Sequence, residues 1–292
     1  MDRDRMHEIR DKLQQLSQWE TVSTFSQAFY QLIADKLADQ GAAGSGLRLA
    51  FVDFLAVEVN YHRQVAALAA RDVMLAGDLQ SLADKRRLNL EVMAEMVAIT
   101  PAPGSQLQAL SHLILAECQY HQRNIGPVVE HLQKAIEYDG GHPLVHFALG
   151  YNIYALAVQD CTVMQVSGGD STLTVTDDIT FTRRCLTALH ALEASLSGTD
   201  FDAQVYWWMG HVLDSAGMTE AARDIQSRLT PGGDESWDDD DDHVPYLSEL
   251  EEAAEAPQYL PQISQDEINR AAVLLRGSFT SAEVLGYDPG EE

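Results

Sequence analysis

Glu58 and His62 stand four residues apart, and Glu117 and His121 repeat the arrangement. At that spacing the two side chains of each pair leave the same face of a helix. Two such helices brought together would offer two carboxylates and two imidazoles, a donor set that suits iron, manganese or zinc. Helical di-metal proteins use a related device, but with Glu-x-x-His spacing and further carboxylates. Here the spacing is one residue longer and no further pair accompanies it. No Gly-x-Gly-x-x-Gly, Walker loop, nucleophile elbow or paired-cysteine motif occurs elsewhere. The sequence therefore predicts no catalytic residue and no cofactor. A helical metalloprotein built on Glu58, His62, Glu117 and His121 stands as the alternative to a protein that only binds.

The elements that carry these pairs read as helices. Met6, Ile9, Leu13 and Leu16 form one amphipathic stripe. Phe25, Phe29, Leu32, Ile33 and Leu37 form a second, with Thr24 and Gln27 spaced as a capping box. Residues 1–40 are thus predicted as a helical hairpin, joined to the rest by a flexible link at Gly41–Gly46. Residues 47–100 read as apolar and helical, with a break at Gly77-Asp78. Helices follow near 105–122, 126–138 and 144–159. A strand-like island interrupts them. Residues 162–167 and 171–176 are rich in β-branched side chains and flank Gly168-Gly169-Asp170, which predicts a β-hairpin insertion at 162–176. Asp177 or Asp178 is placed to cap the next helix.

The helices recur at a fixed interval. Ala116 and Gly150 lie 34 residues apart, each in the middle of an apolar stretch and each followed by a tyrosine, Tyr120 and Tyr154. That period marks helix–turn–helix units that bury their apolar faces by stacking. The stretch Val205–Ala222, with Trp207, Gly210, Gly217 and Ala222, and Pro231 beyond it, resembles a tetratricopeptide repeat. The units centred on Ala116 and Gly150 resemble it more loosely. A further unit centred on Val57 echoes the one at Ala116, since Leu55-Ala-Val-Glu-Val-Asn-Tyr-His62 matches Ile114-Leu-Ala-Glu-Cys-Gln-Tyr-His121. The resemblance covers residues 47–230 and implies a mainly α, TPR-like α-solenoid. It also implies a concave groove lined by the first helix of each unit. Carried over position by position, that groove would present Glu58, Tyr61 and His62, then Glu117, Tyr120 and His121. Tyr151 and Tyr154, then Trp207, His211 and Asp214 would complete it. Such a surface, aromatic with interspersed acids, suits a protein partner with basic and apolar side chains.

Charge sets further bounds. The 292 residues carry 45 acidic and 19 basic side chains, a net charge of −26. That balance disfavours nucleic acid and anionic membranes as partners. Much of the excess falls after Thr230, where Asp238–Asp242 is a run of five like charges expected to be solvated. Residues 231–262 read as an acidic linker and 263–292 as a tail with a short helix around Ile268, Ala271, Ala272 and Leu275. Three scattered cysteines and an N-terminus without an apolar core predict a reduced, cytoplasmic protein. The functional expectation is an adaptor or chaperone that binds a protein segment without turnover.

Overall fold

A computed structural model describes residues 2–19, 21–70, 76–167, 170–198 and 201–227 of the chain. The acidic linker and the predicted tail helix lie outside these residues. Within them the protein is mainly helical, as the sequence predicts, with one two-stranded sheet. Contacts divide the chain into two compact units, Met1–Gly141 and His142–Glu292. The division falls at Gly141, inside the stretch predicted as one repeat domain.

The first unit holds α1 (Asp2–Leu16), α2 (Thr24–Ala38), a 3-10 turn (Gly41–Gly44) and α3 (Ser45–Ala69). It continues with α4 (Ala76–Ile99), α5 (Ser105–His121) and α6 (Ile125–Asp139). The predicted hairpin of residues 1–40 is not a separate body. Its helices find cover for their apolar faces on later ones, α1 on α3 and α2 on α5. The cap of α2 differs from the expectation: Ser23, one residue before Thr24, accepts from the Ser26 amide at 2.9 Å. The Gln27 side chain instead donates from Nε2 to the Val22 carbonyl at 2.9 Å. The expected flexible link is pinned as well. Buried Arg48 donates to the carbonyls of Leu37 (2.8 Å) and Gly41, satisfying acceptors that the end of α2 leaves open. Gly77 lies inside α4 and does not break the helical stretch, because α3 already ends at Ala69.

The second unit holds α7 (Pro143–Cys161), β1 (Thr162–Ser167), β2 (Asp170–Val175), α8 (Asp178–Ala194), α9 (Asp202–Ser215) and α10 (Thr219–Ser227). The hairpin falls where the β-branched arms predict it. Its antiparallel register runs from Thr162 opposite Val175 to Ser167 opposite Asp170. At its base the Thr176 amide donates to the Cys161 carbonyl at 2.7 Å, so α7 and α8 start from a fixed separation. Asp177 then caps α8 by accepting from the Thr180 amide at 3.0 Å. Arg184 ties α8 back to α7 through the Leu156 carbonyl (2.9 Å) and the Asp160 carboxylate (2.8 Å). Between α9 and α10 the chain turns through Gly217, whose φ of 77° suits a residue without a Cβ.

Gly150, one of the two small residues that define the period, is the point of closest approach between α7 and α8. A Cβ at this position would lie 2.8 Å from the Ala188 carbonyl oxygen and 2.8 Å from Leu192 Cγ. Backbone cannot yield to that contact as a flexible side chain would. Gly150→Ala is therefore expected to separate the two helices and destabilise the unit by about 1–3 kcal/mol, despite the better helix propensity of alanine. Chemical denaturation of the variant beside the parent checks this, and an unchanged midpoint would refute the close crossing.

Candidate functional site

The most concentrated chemistry of the described residues lies in the first unit, where α2, α3, α4 and α5 face one another. The 3.6-residue helical repeat places Glu58 and His62 on the inner side of α3, among Phe51, Phe54 and Leu55. On α5 it places Glu117 and His121 inward with Leu113, Ile114 and Tyr120. The side chain of Glu58 is 1% exposed and those of His121 and Arg86 are 5% and 7% exposed. Arg86 reaches Glu58 from α4. Its Nε donates to Glu58 Oε1 at 2.9 Å and its Nη2 donates to Oε2, forming a two-pronged ion pair. The guanidinium lies over the Tyr61 ring, 4.2 Å from its centroid.

His121 sits at the centre. Its Nε2 lies 3.5 Å from Glu58 Oε2, 3.7 Å from Glu117 Oε2 and 3.2 Å from both Arg86 Nη2 and the Tyr30 hydroxyl. His62 stands at the edge, its Nδ1 2.8 Å from Thr21 Oγ1 and its Nε2 3.9 Å from Glu58. The two carboxyls take opposite protonation states. Burial alone would raise the Glu58 pKa, but Arg86, His121 and the Arg86 hydrogen bonds reverse this and hold it at about 2. Burial raises the Glu117 carboxyl, the neighbouring Glu58 charge adds to that, and it titrates at about 8. One guanidinium is shared by two acids, and the acid it does not contact directly keeps its proton. Burial, followed by the Glu58 and Glu117 charges, likewise raises the Tyr30 hydroxyl well above its ordinary value.

The four residues considered as metal ligands thus do converge. The sequence reading missed Arg86, which occupies both oxygens of Glu58. A cation at Glu58 would have to displace a guanidinium of the same sign of charge. Among the described residues no group of three or more His, Cys, Asp or Glu side chains is arranged to hold a metal ion.

The predicted groove is corrected in the same way. Glu58, His62, Glu117, Tyr120, Tyr151 and Tyr154 are buried and face neighbouring helices, because packed helices cover the sides that were to line an open surface. His121 is spent within the cluster. Tyr61, Trp207 and His211 are half-buried, and Asp214 alone is exposed. In the second unit Tyr154 contacts Ser215 Oγ at 2.9 Å and His211 Nε2 at 3.2 Å through its hydroxyl. Trp207 stacks on the His211 ring at 5.4 Å. Burial holds the His211 pKa down at about 4, against the nearby Asp214 charge.

Arg86 and Tyr30 escaped the sequence reading. A signal for Arg86 was present, since Leu82, Arg86 and Leu90 share one face of α4, and a charge inside an apolar stripe needs a buried partner. On the outer side of the cluster, α3 and α4 flank a half-open pocket of about 320 Å³, lined by Tyr61, Arg86, Asn60 and Lys85 among others.

Taken together, these features define a mainly α protein whose first unit is centred on a buried, internally neutralised charge cluster. Compared with known proteins, the chain matches no family model, no curated protein and no solved structure.

Two substitutions separate the roles of the acids. Glu58→Gln leaves Arg86 buried without its counter-charge and is expected to cost about 3–5 kcal/mol at neutral pH. Glu117→Gln mimics the protonated form. Because the folded state raises the Glu117 pKa, its contribution is fully present below pH 4.5 and is lost as pH rises through about 8. Glu117→Gln should therefore gain stability relative to the parent as pH rises across that window. Urea titrations at pH 5, 7 and 9 measure it, and a constant difference would disprove the raised pKa.

Proposed function

We propose that this chain is a protein-interaction module, an adaptor or chaperone of tetratricopeptide-like helical pairs that acts by equilibrium binding in the cytoplasm and carries no active site. The reading is supported by paired helices at a repeat-like spacing, by the close crossing at Gly150, and by a Glu58 carboxylate already occupied by Arg86. No helix among the described residues is long and apolar enough to cross a membrane.

One observation carries the reading furthest. Leu88, Val92, Met96 and Ile99 are all exposed along α4. Scattered apolar residues are ordinary on a protein surface, whereas an aligned set is a feature of docking faces. The contact surface is therefore proposed on α4 and not in the predicted aromatic groove, whose members mostly pack internally. The partner retains its expected chemistry, apolar side chains accompanied by basic ones.

The metalloprotein reading keeps one observation in its favour, that Glu58 and Glu117 both lie within 3.7 Å of His121 Nε2. The Arg86 ion pair weighs against it. Stoichiometric iron, manganese or zinc in the purified protein would establish it.

The binding reading is tested by affinity capture with the Val92→Glu, Met96→Glu double variant. Both side chains face solvent, so stability should stay within about 0.5 kcal/mol of the parent, while capture of the partner is lost. Equal capture by the variant would remove α4 from the interface. Capture lost only on deleting Asp238–Asp242 would assign recognition to the acidic run.

A further inference from the structure

Helix α4 has two faces of opposite character. Leu82, Arg86, Leu90, Met93 and Val97 point inward. Leu88, Val92, Met96 and Ile99 point outward and are 52%, 57%, 40% and 82% exposed. Steps of four, four and three residues set them in one line over three turns. Lys85, three residues before Leu88, continues the line at its start, and Glu95 borders its far end; both are exposed.

We propose that this line is the seam of a symmetric dimer, in which α4 of two copies of this chain packs antiparallel and crosses at Val92. The inference rests on α4 being the interaction face and names its occupant. Antiparallel pairing about Val92 sets Leu88 opposite Met96 of the second copy. It brings Lys85 opposite Ile99, within reach of Glu95 one turn away. Parallel pairing would set Lys85 against Lys85 and Glu95 against Glu95. A two-fold interface requires a surface that is complementary to itself. The stripe meets that requirement, with apolar residues balanced about its centre and opposite charges at its ends. The second copy supplies the apolar helix face expected of the partner, with Lys85 beside it.

A net charge of −26 on each chain opposes close approach, so the Lys85–Glu95 pairs matter more than exposed pairs usually do.

Light scattering of the full chain across a concentration series tests the proposal. The mass should rise from one chain to two, and Val92→Glu should hold it at one with an unchanged melting midpoint. Lys85→Glu and Glu95→Lys should each weaken association about tenfold, and their equimolar mixture should restore it, because only the mixed pair matches charge at both ends. A parent that stays monomeric throughout, or a mixture no better than either variant, overturns the dimer. A photo-crosslinking residue at position 96 separates this failure from that of the parent reading. An adduct of two copies supports the dimer. An adduct with another protein overturns self-pairing and leaves α4 as the interaction face. An adduct confined to one chain, or none, overturns both.

Discussion

The two-pronged ion pair between Arg86 and Glu58 sets the terms for the rest of the first unit. Removing a carboxylate and a guanidinium from water costs several kcal/mol per ion, and close, well-oriented hydrogen bonds must offset it. Two contacts at fixed geometry allow only one register between α3 and α4. With the guanidinium committed to Glu58, burial and the neighbouring Glu58 charge keep Glu117 protonated at neutral pH. That acid stays protonated beside His121 and Tyr30. The arrangement gives the packing of α2 and α5 on α3 a specificity that apolar contacts alone do not supply.

The same pair organises what the unit shows to solvent. α4 turns one basic residue inward with its leucines and leaves four apolar residues outside. Arg86 is buried because its charge has a partner inside, while Leu88, Val92, Met96 and Ile99 are left uncovered by the described helices of this unit. The interior therefore holds charge where most helices hold only carbon, and the surface holds carbon where most hold charge. Both departures fall on one helix, and both lead to the interaction reading developed above. The second unit solves its packing differently. A missing Cβ at Gly150 and a bracing arginine at Arg184 join α7 to α8 around the hairpin, and the histidine of its aromatic cluster is held neutral by burial.

Much of this was legible in the chain itself. Local rules determined the helices, the hairpin at 162–176 and the capping aspartate, because each depends on residues within one or two turns. The i, i+4 spacing also established that Glu58 and His62, and Glu117 and His121, share helix faces. Tertiary structure decided what those faces meet. The ligands of a metal and the lining of a groove have the same helical periodicity as a buried ion-pair network, so spacing does not separate them. Only the docking of α4 brought Arg86 to Glu58, across 28 residues of sequence. The exposed line on α4 was equally hidden, because an apolar residue three turns along a helix reads as core until its neighbours leave it uncovered. Residue types and intervals determine which side chains travel together; the positions of other helices determine whether water, charge or carbon awaits them.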